Sequence, residues 1–415
     1  MKKAEQKVIV IGGGIIGASS AYYLNQSGWK VTLIDQKQFG DAASYGNCGL
    51  ILPGHVLPLN LPGTFFKAFK WMLDPAAPFY VKPRLDFNLF SWFLKFLLRC
   101  NKKHLKEAAT ARSSVLKAAV SLFDELIQQE NIKCDWTKDG VHYLFSTREE
   151  FENYRNLDAF IAQFGTKAEE VSTQEFIKRE PTFRSDIAGS WFYEGAAHLR
   201  PDYLMKELKR VLQDQGVSIL ENIKINSFSI ENKKIISANS ATETFKADEF
   251  VLATGAWTSK FNHCLNCKIP IQPGKGYSIT MDQYKSSPKT ACILEEAGAV
   301  ATPWPSGFRL AGTMEFSGFD ETINPKRLAS LSKNTNQFLP FSCDNTPKET
   351  RFDWRPMTYT GLPIIDRIPK YKNMTLAAGH NMIGLSMGPA TGKMVTALLN
   401  ETEPDLDMKP FRYFQ

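Results

Sequence analysis

Two patterns of hydrophobic spacing run along this chain, and each predicts a different kind of element. Val8 to Ile11 is an unbroken β-branched run, as expected of a strand buried on both faces in a parallel sheet. Ala18 to Gln26 continues with helical character, Gly28 ends that helix, and Trp29 to Ile34 supplies a second strand. Tyr203 to Gln215 reads as an amphipathic helix feeding the strand Val217 to Leu220, the order an α/β layer requires. Ala247 to Ala253 is another apolar strand, ending in Thr254-Gly255. Leu376 to Ser386 is a late apolar run followed by a helical stretch around Gly392. Segments such as Gly307 to Gly312 alternate instead, and predict a mainly antiparallel sheet. The expected fold class is α/β (α+β overall).

Between the first strand and the first helix stands Gly12-Gly13-Gly14-Ile15-Ile16-Gly17. Gly12 suits a tight turn, Gly14 lets the backbone approach a pyrophosphate, and Gly17 allows helix and strand to pack closely. The helix N-terminus then offers N–H groups and a positive dipole end to phosphate. Asp35 follows at the end of the second strand, where a carboxylate accepts hydrogen bonds from ribose hydroxyls and repels a 2′-phosphate. Strand, loop, helix, strand and acid in this order form a Rossmann-type dinucleotide unit. The unit does not choose between NAD and FAD.

At 415 residues the length favours two to three domains. A net charge of +7 is too modest to point to nucleic acid. No window reaches eighteen uninterrupted apolar residues, so the expectation is a protein that is soluble or attached to a membrane from one side. The 7 cysteines are scattered and no secretory leader is evident, which reads as reduced thiols in the cytoplasm. Cys264 and Cys267 form one C-x-x-C pair, read as ordinary thiols rather than a metal site.

Three further segments carry a resemblance. They are Ser44-Tyr45-Gly46-Asn47-Cys48-Gly49-Leu50-Ile51, the Ala247–Trp257 strand with its Thr-Gly end, and Leu376–Ser386. With the glycine loop, they resemble the D-amino-acid oxidase (DAO) superfamily of FAD-dependent oxidoreductases. Pro273–Ser278, Trp354–Thr358 and Gly361-Leu362-Pro363 make the chain look most like the bacterial D-amino acid dehydrogenases within it. The resemblance implies non-covalently bound FAD. It implies contacts to the dinucleotide from Gly12, Gly14, Ile15, Ile16, Asp35, Gln36, Ile225, Ala253, Thr254, Gly255 and Trp257. It sets the isoalloxazine ring against Ser44, Asn47, Cys48, Gly49, Gly361, Gly379, His380, Met382, Ile383, Gly384 and Leu385. Met382 stands where glycine-oxidase-like relatives carry an arginine. The segment Ala197–Pro201 also departs from the best-known dehydrogenases.

The family's cofactor domain is discontinuous, which implies that residues 1–60, 200–267 and 349–415 bind FAD. Residues 61–199 and 268–348 then form the substrate-binding domain. Within it, 64–106 interleaves aromatic and basic residues with only two acids, Asp74 and Asp86. Such a stretch fits either a membrane interface, at the inner face of the cell membrane, or a buried helical hairpin with a basic outer face.

Oxidising an amino acid with flavin requires the Cα–H to point at the ring from about 3–3.5 Å. A guanidinium grips a carboxylate through two parallel hydrogen bonds, and Arg355 is the candidate. Tyr277 is a candidate for a second carboxylate contact or a lid, Lys275 for a charge near reduced flavin, and His380 for a ring neighbour. The expected partners are a small amino-acid substrate and a quinone or other electron acceptor. D-Proline-type cyclic substrates and an oxygen-using glycine or sarcosine oxidase stay open as alternatives.

Overall fold

The computed structural model describes residues 6–63, 79–282, 287–340 and 347–413. One sheet has six strands in the order Ile364–Arg367, Met374–Ala378, Glu249–Leu252, Lys7–Ile11, Lys30–Ile34, Ser218–Leu220. All neighbours run parallel except the edge strand Ile364–Arg367. Val10 lies opposite both Val251 and Leu33, so the β-branched run occupies the sheet centre.

Helices Ile15–Gln26, Pro201–Asp214 and Gly384–Asn400 cover one face. The first and last approach very closely, since a Cβ on Gly392 would lie 2.5 Å from the Ser19 carbonyl oxygen. A small antiparallel sheet, Ser227–Glu231, Lys234–Asn239 and Thr244–Lys246, covers the other face through Phe228, Ile235 and Ala238.

The second large sheet runs Glu349–Thr358, Ile271–Asp282, Gly307–Phe316, Ala299–Trp304, Ala291–Leu294, Val141–Phe145, Gly189–Tyr193, Glu169–Val171. It is mainly antiparallel, with one parallel pair between Ala291–Leu294 and Val141–Phe145. Phe79–Val81 adds a further parallel partner to Gly307–Phe316. Two segments sit differently from the expected division of the chain. Glu349–Thr358 pairs along its length with Ile271–Thr280, so it belongs to this sheet rather than to the nucleotide layer. Helices Lys102–Leu116 and Ala119–Gln129 share the hydrophobic cluster of Gly384–Asn400, on the nucleotide side.

Residues 64–78 of the aromatic, basic stretch lie outside the described residues. The rest contains a helix, Phe87–Leu97, capped by Asp86, whose Oδ1 accepts from Leu89 N–H at 3.0 Å. No helix among the described residues is long and apolar enough to cross a membrane.

Candidate active site

A cavity of about 1150 Å³ lies between the two large sheets, running from the glycine loop to the strands that carry Arg355 and Thr313. Its dinucleotide end is built by the first βαβ unit. Gly12 has φ +109°, and a Cβ there would overlap the Ala253 carbonyl. Gly14 starts the helix with no side-chain cap. Asp35 Oδ2 accepts from Gly13 N–H at 2.6 Å, and its Oδ1 from Lys37 N–H at 2.7 Å. The carboxylate therefore holds the glycine loop while facing the cavity, and burial raises its pKa.

Ile15, Ile16, Gln36, Ile225, Ala253, Thr254, Gly255 and Trp257 line the same end. Thr254 Oγ1 lies 3.0 Å from Thr258 Oγ1, which in turn donates to the Gly255 carbonyl at 2.7 Å. That pair turns the strand Glu249–Leu252 into the short helix Gly255–Phe261 beside the cavity.

The loop 41–48 forms the middle of the wall. Ser44 lines the cavity, and its Oγ accepts from Ile15 N–H at 2.9 Å, at the start of the glycine-loop helix. Asn47 makes an Asx turn, its Oδ1 accepting from Gly49 N–H at 2.8 Å. Asn47 and Cys48 line the cavity, and burial pushes the Cys48 thiol pKa up. Gly49, Gly361 and Gly379 are absent from the cavity wall. Each is a positive-φ turn, at +84°, +74° and +84°, packed against Leu199, Pro58 and Thr358 respectively.

At the other end stands the loop after Met374–Ala378. His380, Met382, Ile383, Gly384 and Leu385 line the cavity here. Asn381 clips this loop to the next strand: its Oδ1 accepts from Thr358 N–H at 3.0 Å and its Nδ2 donates to the Gly379 carbonyl at 2.9 Å. His380 is 1% exposed, its Nε2 is 3.0 Å from Thr391 Oγ1, and burial pushes its pKa down to about 3. It is a neutral imidazole. Its buried Nδ1 has no partner among the described residues.

Arg355 faces the cavity from the strand Glu349–Thr358. Its Nη1 donates to the Thr313 carbonyl at 2.7 Å. Among the described residues no carboxylate lies within ion-pairing distance of it, and burial lowers its pKa. The guanidinium lies over Gly276, where a Cβ would overlap it.

Two candidates spend their polar groups on protein partners. The Tyr277 hydroxyl is buried in the core, donating to Glu315 Oε2 at 3.1 Å. Tyr277 lines the cavity together with Gly276 and Ser278, but its hydroxyl is held by Glu315 and by Asn324 N–H at 3.4 Å. Lys275 is fully buried: its Nζ donates to the carbonyls of Asp320 (2.8 Å) and Thr322, and lies 4.5 Å from the Phe352 ring centre. It does not line the cavity.

Arg309 escaped the sequence reading. It is 1% exposed, and its Nη1 donates to the carbonyls of Tyr45 (2.6 Å) and Asn47 (2.9 Å). Its Nε donates to Thr280 Oγ1 at 2.9 Å. An arginine inside an apolar strand was the available signal, because such a group is buried only when its donors are used.

The glycine cradle, Asp35 and the orphaned His380 nitrogen together fit an elongated dinucleotide carrying a flat redox ring. This is the fold and site of a flavin-dependent oxidoreductase.

Residues 7–398 match the model of the DAO family, described as FAD dependent oxidoreductase, and the chain belongs to that family. It is 30% identical to a D-amino acid dehydrogenase of Vibrio vulnificus (strain YJ016), covering 98% of this chain and 99% of that protein. The D-amino acid dehydrogenase of Granulibacter bethesdensis is 26% identical, with 97% of each covered. Among solved structures, glycine oxidase from Geobacillus kaustophilus superposes with a TM-score of 0.79 at 18% identity, over 99% of each chain. L-proline dehydrogenase from P. horikoshii gives 0.75 at 20%, over 98% and 97%. The chain is thus an FAD-binding enzyme of the amine dehydrogenase and oxidase type.

Proposed function

We propose that the chain oxidises a D-amino acid to the imino acid, which water converts to the 2-oxo acid, and passes the electrons to a quinone or another carrier. Bound FAD supplies the acceptor for the hydride from Cα. The protein's own task is positioning. Arg355 carries the reading: it is a buried cation with one N–H on Thr313 and no carboxylate partner among the described residues, so a ligand carboxylate completes it. Gly276 leaves room for the guanidinium. Met314, whose Sδ is 4.0 Å from Arg355 Nη1, and Met382 of the same hydrophobic cluster give the pocket an apolar wall. Neutral His380 turns one nitrogen to Thr391 and leaves the other for the ring end of the cofactor.

The names of the curated relatives support a dehydrogenase and a D-configured substrate. Anaerobic mixing of the FAD-loaded protein with D-amino acids, L-amino acids and cyclic imino acids tests both points. D-Amino acids are expected to bleach the visible flavin absorbance and L-amino acids to leave it unchanged. Bleaching by cyclic imino acids alone would move the substrate to that class. Bleaching by none would end the amine-oxidation reading, and stoichiometric peroxide in air would replace the carrier with oxygen.

A further inference from the structure

We propose that the outward face of the helix Phe87–Leu97, with Leu85 and Leu98 at its ends, docks this enzyme onto an anionic lipid bilayer. Leu85 is 102% exposed, Phe87 88%, Phe90 70%, Leu94 50% and Leu98 69%. From Phe87 onward the spacing is three, four and four, so these side chains share one helical face. A helix facing water ordinarily places polar residues there. This one has only Asn88, Ser91 and Lys95 among its eleven positions.

The apolar face is not a frayed element waiting to fold back. The opposite face is already packed: Leu89 and Trp92 are buried in a cluster with Met314, Phe316, Met357 and Tyr359. Trp92 Nε1 donates to the Pro270 carbonyl at 3.1 Å, and the Asp86 cap fixes the first turn. The outer side chains are therefore held outward by a rigid base. An aromatic side chain carries roughly 150–250 Å². The five together then stand near the top of the roughly 300–600 Å² typical of a monomer's largest apolar patch.

Charge decides what covers the patch. Lys95 on the same helix and Lys102, Lys103 and Lys106 on the first turns of the next are exposed, and half-buried Arg99 lies 4.6 Å from the Tyr359 ring centre. Among the described residues no acid pairs with Lys102, Lys103 or Lys106, and Asp86 is already taken by Arg84 at 3.0 Å. A second copy docking by the same face about a two-fold axis would bring these lysines against their own images. A bilayer with anionic headgroups takes the apolar stripe into its interface and neutralises the lysine collar. The face also adjoins the cavity: Phe93 meets Phe79 edge-on at 6.5 Å, and Phe79, Leu59, Leu61 and Leu105 line the cavity. Docking sets that apolar rim toward the lipid.

The test is co-sedimentation of the full, FAD-loaded chain with phosphatidylcholine vesicles, with and without phosphatidylglycerol. Binding is expected only to the anionic vesicles, and to fall as salt rises. The variant Phe87→Ser/Phe90→Ser/Leu94→Ser is expected to weaken it at least tenfold. Lys102→Glu/Lys103→Glu/Lys106→Glu should abolish the preference for anionic lipid. Thermal midpoint and flavin spectrum, unchanged in both variants, confirm that the fold survives. Wild-type protein left in the supernatant, or variants that sediment as well as wild type, would overturn the proposal. So would light scattering that shows a dimer which the serine variant dissociates.

Discussion

The Arg355 guanidinium lies against the backbone of Gly276, so close that a single methyl group on Gly276 would occupy its place. The clash is with the far end of a flexible side chain, so Gly276→Ala should fold and displace the guanidinium. If Arg355 holds the substrate carboxylate, Gly276→Ala raises KM by about ten- to a hundredfold, the loss of one to two charge-assisted hydrogen bonds. Arg355→Ala does the same, and the double variant adds little to either, because the two changes remove one interaction. Steady-state kinetics on the three variants check this. Additive effects would separate Gly276 from Arg355.

Asp35 fastens the glycine loop through Gly13 N–H at 2.6 Å while facing the cavity. Asp35→Asn keeps the shape and removes the charge that strengthens this bond and any bond to ribose. Charged hydrogen bonds are worth about 1.5–3 kcal/mol, so FAD affinity should fall roughly ten- to a hundredfold. Titration of the apoprotein by flavin fluorescence quenching measures it. Unchanged affinity would confine Asp35 to the loop.

How much of this was legible in the chain depends on burial. The unit from Val8 to Asp35 was readable because its glycines answer to backbone geometry, which leaves a local signature. The Leu376–Ser386 run was readable for the same reason. The large sheet hid more. All of Gly307–Phe316 is buried, so period-two alternation does not separate a cavity-facing side chain from a core one. That is why Arg309 went unnoticed, and the nearly continuous burial of Ile271–Asp282 likewise hid that Lys275 is spent on backbone carbonyls. The pairing of Glu349–Thr358 with Ile271–Thr280 joins residues about seventy to ninety positions apart, which no local pattern encodes.

Three histidines, His380 and His142 buried and His55 half-buried, give stability a defined pH dependence. Burial lowers the pKa of His380 and His55 to about 3 and of His142 to about 4, from 6.5. Below pH 6.5 the unfolded chain therefore binds protons that the folded chain refuses, and stability falls as pH falls from 6.5 toward 4. Each such group contributes a slope of up to about 1.4 kcal/mol per pH unit. His142 is 2% exposed, lies between the Phe176 and Phe192 rings and is 3.0 Å from Ser190 Oγ. In His142→Asn the slope of unfolding free energy between pH 6 and 4, read from urea titrations, should shrink by about one proton's worth. An unchanged slope would mean that His142 titrates normally in the folded state.

The close contact between Ile15–Gln26 and Gly384–Asn400 sets a steric limit. At Gly392 a Cβ would stand 2.5 Å from the Ser19 carbonyl oxygen, a backbone atom that cannot swing aside. Gly392→Ala must separate the helices, at a cost of about 1–3 kcal/mol for overpacking. Helix propensity alone predicts the opposite sign, a gain of about 1 kcal/mol. A lowered thermal midpoint decides for packing, and a raised one would show that the helices slide apart freely.

Arg309 offers the sharpest separation of shape from charge. Its planar fork satisfies two carbonyls of the loop 45–47 from one nitrogen and Thr280 from another, a geometry that a lysine ammonium on a flexible stem does not reproduce. Arg309→Lys keeps the cation and loses the fork. The ammonium has three donors but no planar fork that reaches Tyr45, Asn47 and Thr280 together, and the loop between the glycine-loop helix and the far end of the cavity loosens. FAD retention on gel filtration should fall, and the visible flavin bands should lose vibronic resolution as the ring's surroundings become wetter. Arg309→Met removes the charge as well and leaves both carbonyls without a donor, so its loss should be larger. If both variants keep FAD and spectrum intact, the loop is held by its Asx turn at Asn47 and by Ser44 on Ile15, and Arg309 is only a buried cation balanced by Glu349 at 3.6 Å.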